Sequence, residues 1–218
     1  MINTFASVYS DQLHRLQWAL FPDEKPSRTR VIQITAARLS EGVSTVTLAL
    51  ASSMSRLFGA DSTIVLEANL RKPFFSQRLG SSSPHSIQDA LENDELTLSA
   101  ITKVEGLGFS VISASAIPTV SSSQGAEFYL EGIGKLIDML RGKFKYVLID
   151  SPPVLPYVDS DIISGFVDGV AIVVEANSTR SEVLNVAINR LKSVDAKIVG
   201  LILNKRVFYI PKWLYKFV

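Results

Sequence analysis

At 218 residues, 47% of them apolar and 20% charged, the chain has the size and balance of one globular domain with a full core. Its net charge of +1, from 22 basic and 21 acidic residues, excludes a broad nucleic-acid-binding face, and the lack of cysteine excludes disulfides and thiolate metal sites. No apolar run reaches the ~20 residues of a membrane span, and Met1-Ile2-Asn3-Thr4-Phe5 has no basic region leading into an apolar one, so the expected compartment is the cytoplasm.

In chain order, Val8, Gln12, Leu13, Leu16 and Leu20 predict a helix over residues 6–20. Pro22 and Pro26 end it, so residues 1–28 read as a helical arm and linker. From Val31 the chain alternates strand and helix. Strands are expected at Val31–Ile34, Thr63–Leu66, Gly108–Ile112, Tyr146–Ile149, Gly169–Val174 and Lys197–Leu203. Helices are expected after Val46, at Ser86–Leu91, at Ala126–Leu140 and after Thr179. Thr179-Arg180-Ser181-Glu182 reads as a capping box, in which hydroxyl and carboxylate satisfy free backbone donors. Strands apolar at every position are buried on both faces, the mark of a parallel sheet with helices on each side. The expected fold is therefore α/β: one domain over 1–218, a three-layer, doubly wound, mainly parallel sheet preceded by an N-terminal helix.

In such a sheet ligands sit at the carboxyl ends of the strands. The first strand feeds Thr35-Ala36-Ala37-Arg38-Leu39-Ser40-Glu41-Gly42-Val43-Ser44-Thr45, and a helical pattern follows. Strand, small-residue turn, helix is the context of a phosphate-binding loop, whose amides face the phosphates at the helix N-terminus. A lysine would then reach the β- and γ-phosphates, but position 43 is valine, whose isopropyl group is expected to face the phosphates. The second strand ends at Glu67-Ala68-Asn69-Leu70-Arg71-Lys72-Pro73 and the fourth at Asp150-Ser151-Pro152-Pro153. Arg71 and Lys72 suit phosphate, a partner's carboxylates or a solvated loop. Gly132-Ile133-Gly134-Lys135 lies in a helical pattern and reads as close helix packing, not a second loop. The serine runs 81–83 and 121–123 read as surface loops, and His14 and His85 have no ligand partner nearby in sequence.

The three strand ends together resemble the cytoplasmic tyrosine autokinases of bacterial capsule and exopolysaccharide synthesis, of the MinD/ParA-like branch of P-loop ATPases. The resemblance rests on Ala36–Thr45 against S-A-R-P-G-E-G-K-S-T, Glu67–Pro73 against D-A-D-L-R-R-P, and Ile149–Pro153 against I-D-x-P-P. Asp168-Gly169-Val170, Asn177–Arg180 and Gly200–Asn204 are also similar. It implies a nucleotide site at Ala37, Arg38, Ser40, Glu41, Gly42, Val43, Ser44 and Thr45, with Ser44 and Asp150 as ligands of magnesium if Mg-ATP binds.

The departures fall on the residues to which the resemblance assigns chemistry. Val43 stands for the lysine and Ser40 for a glycine, while Glu67 and Asn69 replace the two aspartates of the second motif; Asp150 and Ser44 are kept. The family's N-terminal helix joins subunits in a ring through E-x-x-R-x-x-R, where this chain has Asp11, His14 and Gln17. In place of a C-terminal tyrosine cluster it has only Tyr209 and Tyr215. The expectation is a pseudokinase with vestigial Glu67, Asn69 and Asp150, binding Mg-ATP or ADP weakly if at all. It would be a scaffold or regulator beside a membrane polysaccharide copolymerase or a paralogous active kinase, as a monomer or small oligomer and not a ring. Two alternatives stay open: a weakly active ATP-dependent kinase or ATPase with Glu67 and Asp150 around magnesium, and a MinD-like membrane-associated nucleotide switch. The tail, residues 206–218, alternates aromatic and basic residues; Trp213 and Tyr215 there, with Asp11, His14 and Gln17, are the partner-binding candidates. Packing on the domain, docking to a membrane partner at the inner face of the cell membrane, and direct lipid contact are all open for the tail.

Overall fold

A computed structural model describes residues 10–21, 28–79, 83–114 and 124–206 of the protein. The tail with Tyr209, Trp213 and Tyr215, and the serine run 121–123, lie outside the described residues. The elements are α1 (Ser10–Leu20), β1 (Arg30–Ala36), α2 (Val43–Phe58), β2 (Thr63–Glu67), α3 (Phe75–Leu79), α4 (Ile87–Glu92), a 3-10 turn (Asp94–Leu96) and α5 (Thr97–Ala100). They continue with β3 (Thr102–Lys103), β4 (Ser110–Ile112), α6 (Gln124–Arg141), β5 (Tyr146–Asp150), α7 (Asp159–Ser164), β6 (Gly169–Glu175), α8 (Ser181–Ser193) and β7 (Ile198–Asn204).

The sheet runs β3-β4-β2-β5-β1-β6-β7, parallel at every pairing except β3 with β4. Successive side chains of a strand point to opposite faces. In β1, Ile32 and Ile34 therefore join Leu48, Leu50 and Met54 of α2 in one core, while Val31 joins Ile133, Leu136 and Ile137 of α6 in the other. A third cluster seats Ala187 and Leu191 of α8 on Val170 and Ile172 of β6. Helices on both faces account for strands that are apolar throughout. The three-layer α/β fold expected from the sequence is the fold observed.

Several local expectations change. The sheet has a seventh strand: β3 is only two residues long and pairs antiparallel with β4. The Thr179 capping box does not form. The α8 N-cap is Arg180, without a side-chain cap, and the Thr179 hydroxyl donates to Glu41 instead. A capping box does form at α4, where the Ser86 side chain accepts from the Asp89 amide and Asp89 accepts the Ser86 N–H at 2.7 Å. Gly132 and Gly134 lie in α6, and a Cβ added to Gly134 would come within 2.7 Å of the Phe166 ring, so close packing is why the helix has glycine there.

The arm is docked: Phe21 is buried and meets the Tyr146 ring edge-on at 5.2 Å between centroids. Gln17 is only 1% exposed. It shares the apolar face of α1 with Leu13 and Leu20, so of the three ring-position residues only Asp11 and His14 stand exposed. At the same, amino-terminal end of the strands, Asp168 accepts from the Val31 N–H (2.8 Å) and from Arg141 (3.0 Å). Burial raises its pKa, but those donors prevail and hold it below the ordinary carboxyl value. Among the described residues no helix is long and apolar enough to cross a membrane.

Candidate functional site

Three strand ends converge as the sequence predicts. At the end of β1 the chain turns through Arg38, Leu39 and Ser40, all exposed, into the N-terminus of α2. Gly42 is the N-cap, left-handed at φ 97, and an added Cβ would lie 2.2 Å from the Asn204 amide nitrogen. Only glycine fits both constraints. Ser40, where the resembled motif has glycine, is also left-handed, at φ 66.

The loop is fastened by side chains from distant positions. Glu41 is buried; its carboxylate accepts the Arg38 N–H at 3.2 Å and the Thr179 hydroxyl. Arg38 reaches the Ser178 carbonyl at 3.2 Å. From the end of β7, Asn204 donates to the Glu41 carbonyl at 2.9 Å, and the Lys205 ammonium donates to the Ser40 carbonyl at 2.7 Å. The sequence reading does not single out Lys205, and it reads Thr179 as a cap for its own helix, not as a tie of this loop. The available signal for Lys205 is its place directly after Asn204, at the end of the last strand.

Val43, expected to face the phosphates, also has apolar neighbours. It is half-buried and packs against the α2-side core. An isopropyl group is drawn to apolar neighbours, whereas an ammonium would be held toward the loop. Ser44 is half-buried and Thr45 exposed in the same first turn.

Asp150 ends β5 with 1% exposure, and neither carboxylate oxygen has a hydrogen-bond partner. Burial pushes its pKa up to about 8. The nearby Ser44 hydroxyl, although it closes no bond of normal geometry, opposes this shift, and the Glu67 carboxylate adds to it. Glu67, beside it on β2, is fully buried and spoken for. One oxygen accepts the Phe74 and Phe75 N–H groups at 2.5 and 2.8 Å, and the other accepts the Ala114 N–H at 2.8 Å. Burial raises its pKa and these three amides oppose the rise. Glu67, for which the sequence leaves a magnesium role open, thus has both oxygens engaged by backbone amides. Asn69 is half-buried, and its carbonyl accepts the Lys72 N–H at 3.4 Å in the turn that follows β2. Arg71 lies neither free in solvent nor on the loop; it pairs with Asp159 at 3.1 Å and stacks over the Tyr157 ring at 4.5 Å. Lys72 is exposed.

The third motif rests on buried polar contacts that the sequence does not advertise. The Gln33 amide donates to the Ser151 hydroxyl (2.9 Å) and the Ser160 carbonyl (3.0 Å), and Thr35 donates to the Pro152 carbonyl (2.7 Å). Arg190 of α8 holds the following loop through Asp161 (2.7 Å) and the Leu155 and Tyr157 carbonyls (3.1 and 3.2 Å). Beside the phosphate loop, an open groove of about 650 Å³ is lined by Arg38, Leu39, Leu155, Pro156, Glu175 and Ser178.

The donor set fits a metal-bound nucleotide only in part. A buried, unpartnered carboxylate beside a hydroxyl at a helix N-terminus, Asp150 with Ser44, is the kind of oxygen set magnesium takes. The side chain at position 43 gives the phosphates no cation. Among the described residues no group of three or more acidic or histidine side chains could hold a metal by itself.

No protein-family model matches the chain. It is 24% identical over 181 residues to the succinoglycan biosynthesis transport protein ExoP of Rhizobium meliloti, covering 82% of this chain and 22% of that protein. It is 24% identical over 177 residues to the tyrosine-protein kinase CpsD of Streptococcus agalactiae, covering 81% and 75%. The chain thus spans under a quarter of ExoP and three quarters of CpsD. Among solved structures, the VpsO kinase domain superposes with a TM-score of 0.78 at 25% identity, over 94% of this chain and 96% of that one. The MinD cell division protein of Aquifex aeolicus superposes with a TM-score of 0.63 at 22% identity, over 86% and 72%.

Proposed function

The chain is a relative of the bacterial tyrosine-protein kinases of capsule and exopolysaccharide systems, and from that premise we propose that it serves such a system without transferring phosphate. It is a pseudokinase that scaffolds or regulates polysaccharide synthesis and export. Its partner is a membrane copolymerase or a paralogous active kinase, met at the inner face of the membrane. The observation that carries this reading is Val43, half-buried against the core, where the resembled motif has its lysine. A hydrogen bond to a charged group is worth roughly 1.5–3 kcal/mol, so its loss weakens nucleotide binding about ten- to a hundredfold. Phosphoryl transfer depends almost wholly on positioning and charge neutralisation and suffers more. The engagement of Glu67 by three backbone amides supports the same reading.

A second reading, weak ATP turnover, is favoured by one feature: Asp150 and Ser44 remain together at the start of α2. Calorimetric titration with Mg-ATP, beside an anti-phosphotyrosine blot, separates the two. The pseudokinase reading expects affinity weaker than the micromolar range and no phosphotyrosine. Micromolar binding abolished by Asp150→Ala, together with a phosphotyrosine signal, would put the enzyme first. With Asp11 and His14 at the ring positions, light scattering of the same preparation is expected to give a monomer or small oligomer. A mass near eight subunits would count against that assembly.

A further inference from the structure

Two consecutive carbonyls of the phosphate loop, those of Ser40 and Glu41, accept from two consecutive residues at the end of β7. Lys205 donates to Ser40 at 2.7 Å and Asn204 to Glu41 at 2.9 Å. We propose that Asn204 and Lys205 form a clamp that keeps the phosphate loop closed independently of nucleotide, in place of the interior lysine that position 43 lacks.

The geometry supports this from several sides. The side chain at position 43 packs against the core and has no donor for a loop carbonyl. The Asn204 amide fills the space beside Gly42, so the loop and the end of β7 fit against each other as well as bond. Ser40 and Lys205 are both left-handed, at φ 66 and 54, an unfavourable state for residues other than glycine. The same hydrogen bond joins these two residues, so the strain at one is tied to the strain at the other. Lys205 is itself held, its ammonium lying 3.3 Å from the Glu175 carboxylate at the end of β6. On the loop's inner side the Glu41 carboxylate bonds the Arg38 N–H and the Thr179 hydroxyl, so β6, β7 and the start of α8 all draw the loop toward one edge of the sheet. Because the Lys205 side chain is 45% exposed, the clamp works at the surface and can be opened without unfolding the domain.

The clamp is independent of whether the protein turns over ATP, and one experiment tests both. Hydrogen–deuterium exchange is followed in the wild type, Lys205→Met, Lys205→Arg, Asn204→Ala and Glu175→Gln, each with and without Mg-ATP. Without nucleotide, the wild-type amides that close the loop, Arg38 onto Glu41 and Val46 onto Gly42, are expected to exchange slowly. Lys205→Met should speed them by about tenfold or more, the scale of a lost charge-assisted hydrogen bond, while amides of β1 and β5 stay unchanged. Lys205→Arg should restore protection, and Glu175→Gln should fall between. Asn204→Ala should act like Lys205→Met. Wild-type loop exchange as fast as in Lys205→Met would overturn the clamp, as would an acceleration spread evenly over the domain. Further protection of the wild-type loop by Mg-ATP would instead count against the non-catalytic reading and leave the clamp standing.

Discussion

The ends of β2 and β5 are neighbours in register, Glu67 opposite Asp150, and both are closed to solvent. Their carboxylates nevertheless live under different rules. Glu67 reaches the amides of Phe74, Phe75 and Ala114, so it ties together the loop that follows β2 and the end of β4. Asp150 closes no hydrogen bond of normal geometry, and burial dominates its acidity, with the Ser44 hydroxyl opposing the rise and the Glu67 carboxylate adding to it. A buried carboxylate surrounded by amides is part of the scaffold; one without partners is a cost to the fold. The extra methylene of glutamate is what carries the first group out to its amides.

That contrast can be broken from either side. The largest loss is expected from Glu67→Ala, which strands three backbone donors; stability should fall on the order of 3–5 kcal/mol in urea denaturation. A loss below about 1 kcal/mol would mean that the loop after β2 does not depend on Glu67. Asp150→Asn should act in the opposite direction and depend on pH. In the folded protein the Asp150 pKa lies at about 8 against an ordinary 3.8, so between those values the native state holds a proton the unfolded chain has lost. Stability should therefore decline as pH rises through that window and level off above it. Asp150→Asn removes the decline and should gain on the order of several kcal/mol at pH 8 and little at pH 4. Equal effects at both pH values would show that Asp150 is ionised in the fold. The smallest change is expected from Arg71→Ala, also after β2. Arg71 itself is exposed where it pairs with the half-buried Asp159 and stacks on Tyr157, so less than about 1 kcal/mol should be lost. A larger loss would make Arg71 a second tie of that region.

The sheet was legible because all-apolar strands have one common explanation, burial on both faces, and the three converging strand ends follow from it. What escaped is what depends on contacts between distant residues. The Thr179 hydroxyl looked like a cap for its own helix, but Glu41, far back in the chain, takes it. The three amides that engage Glu67 are brought to it only by folding. β3 is two residues long and pairs antiparallel, too short to display a period. Val43 was read by what a lysine would do there, while its own apolar neighbours come to it only in the fold. Gln17 could have been placed from the sequence alone: four residues after Leu13 and three before Leu20, it falls on the apolar face of α1.

β1 stands between β5 and β6, pairing residue 30 with 146 and residue 32 with 169. A chain emerging from the ribosome therefore exposes its central strand and phosphate loop long before their neighbours are synthesised. Such long-range pairing makes folding slow and leaves an unpaired strand open to other chains or to chaperones meanwhile. The loop at residues 38–42 also takes support from Thr179, Asn204 and Lys205, so its final shape must wait until almost the whole domain has been made. The earliest motif to be translated is thus among the last to be completed.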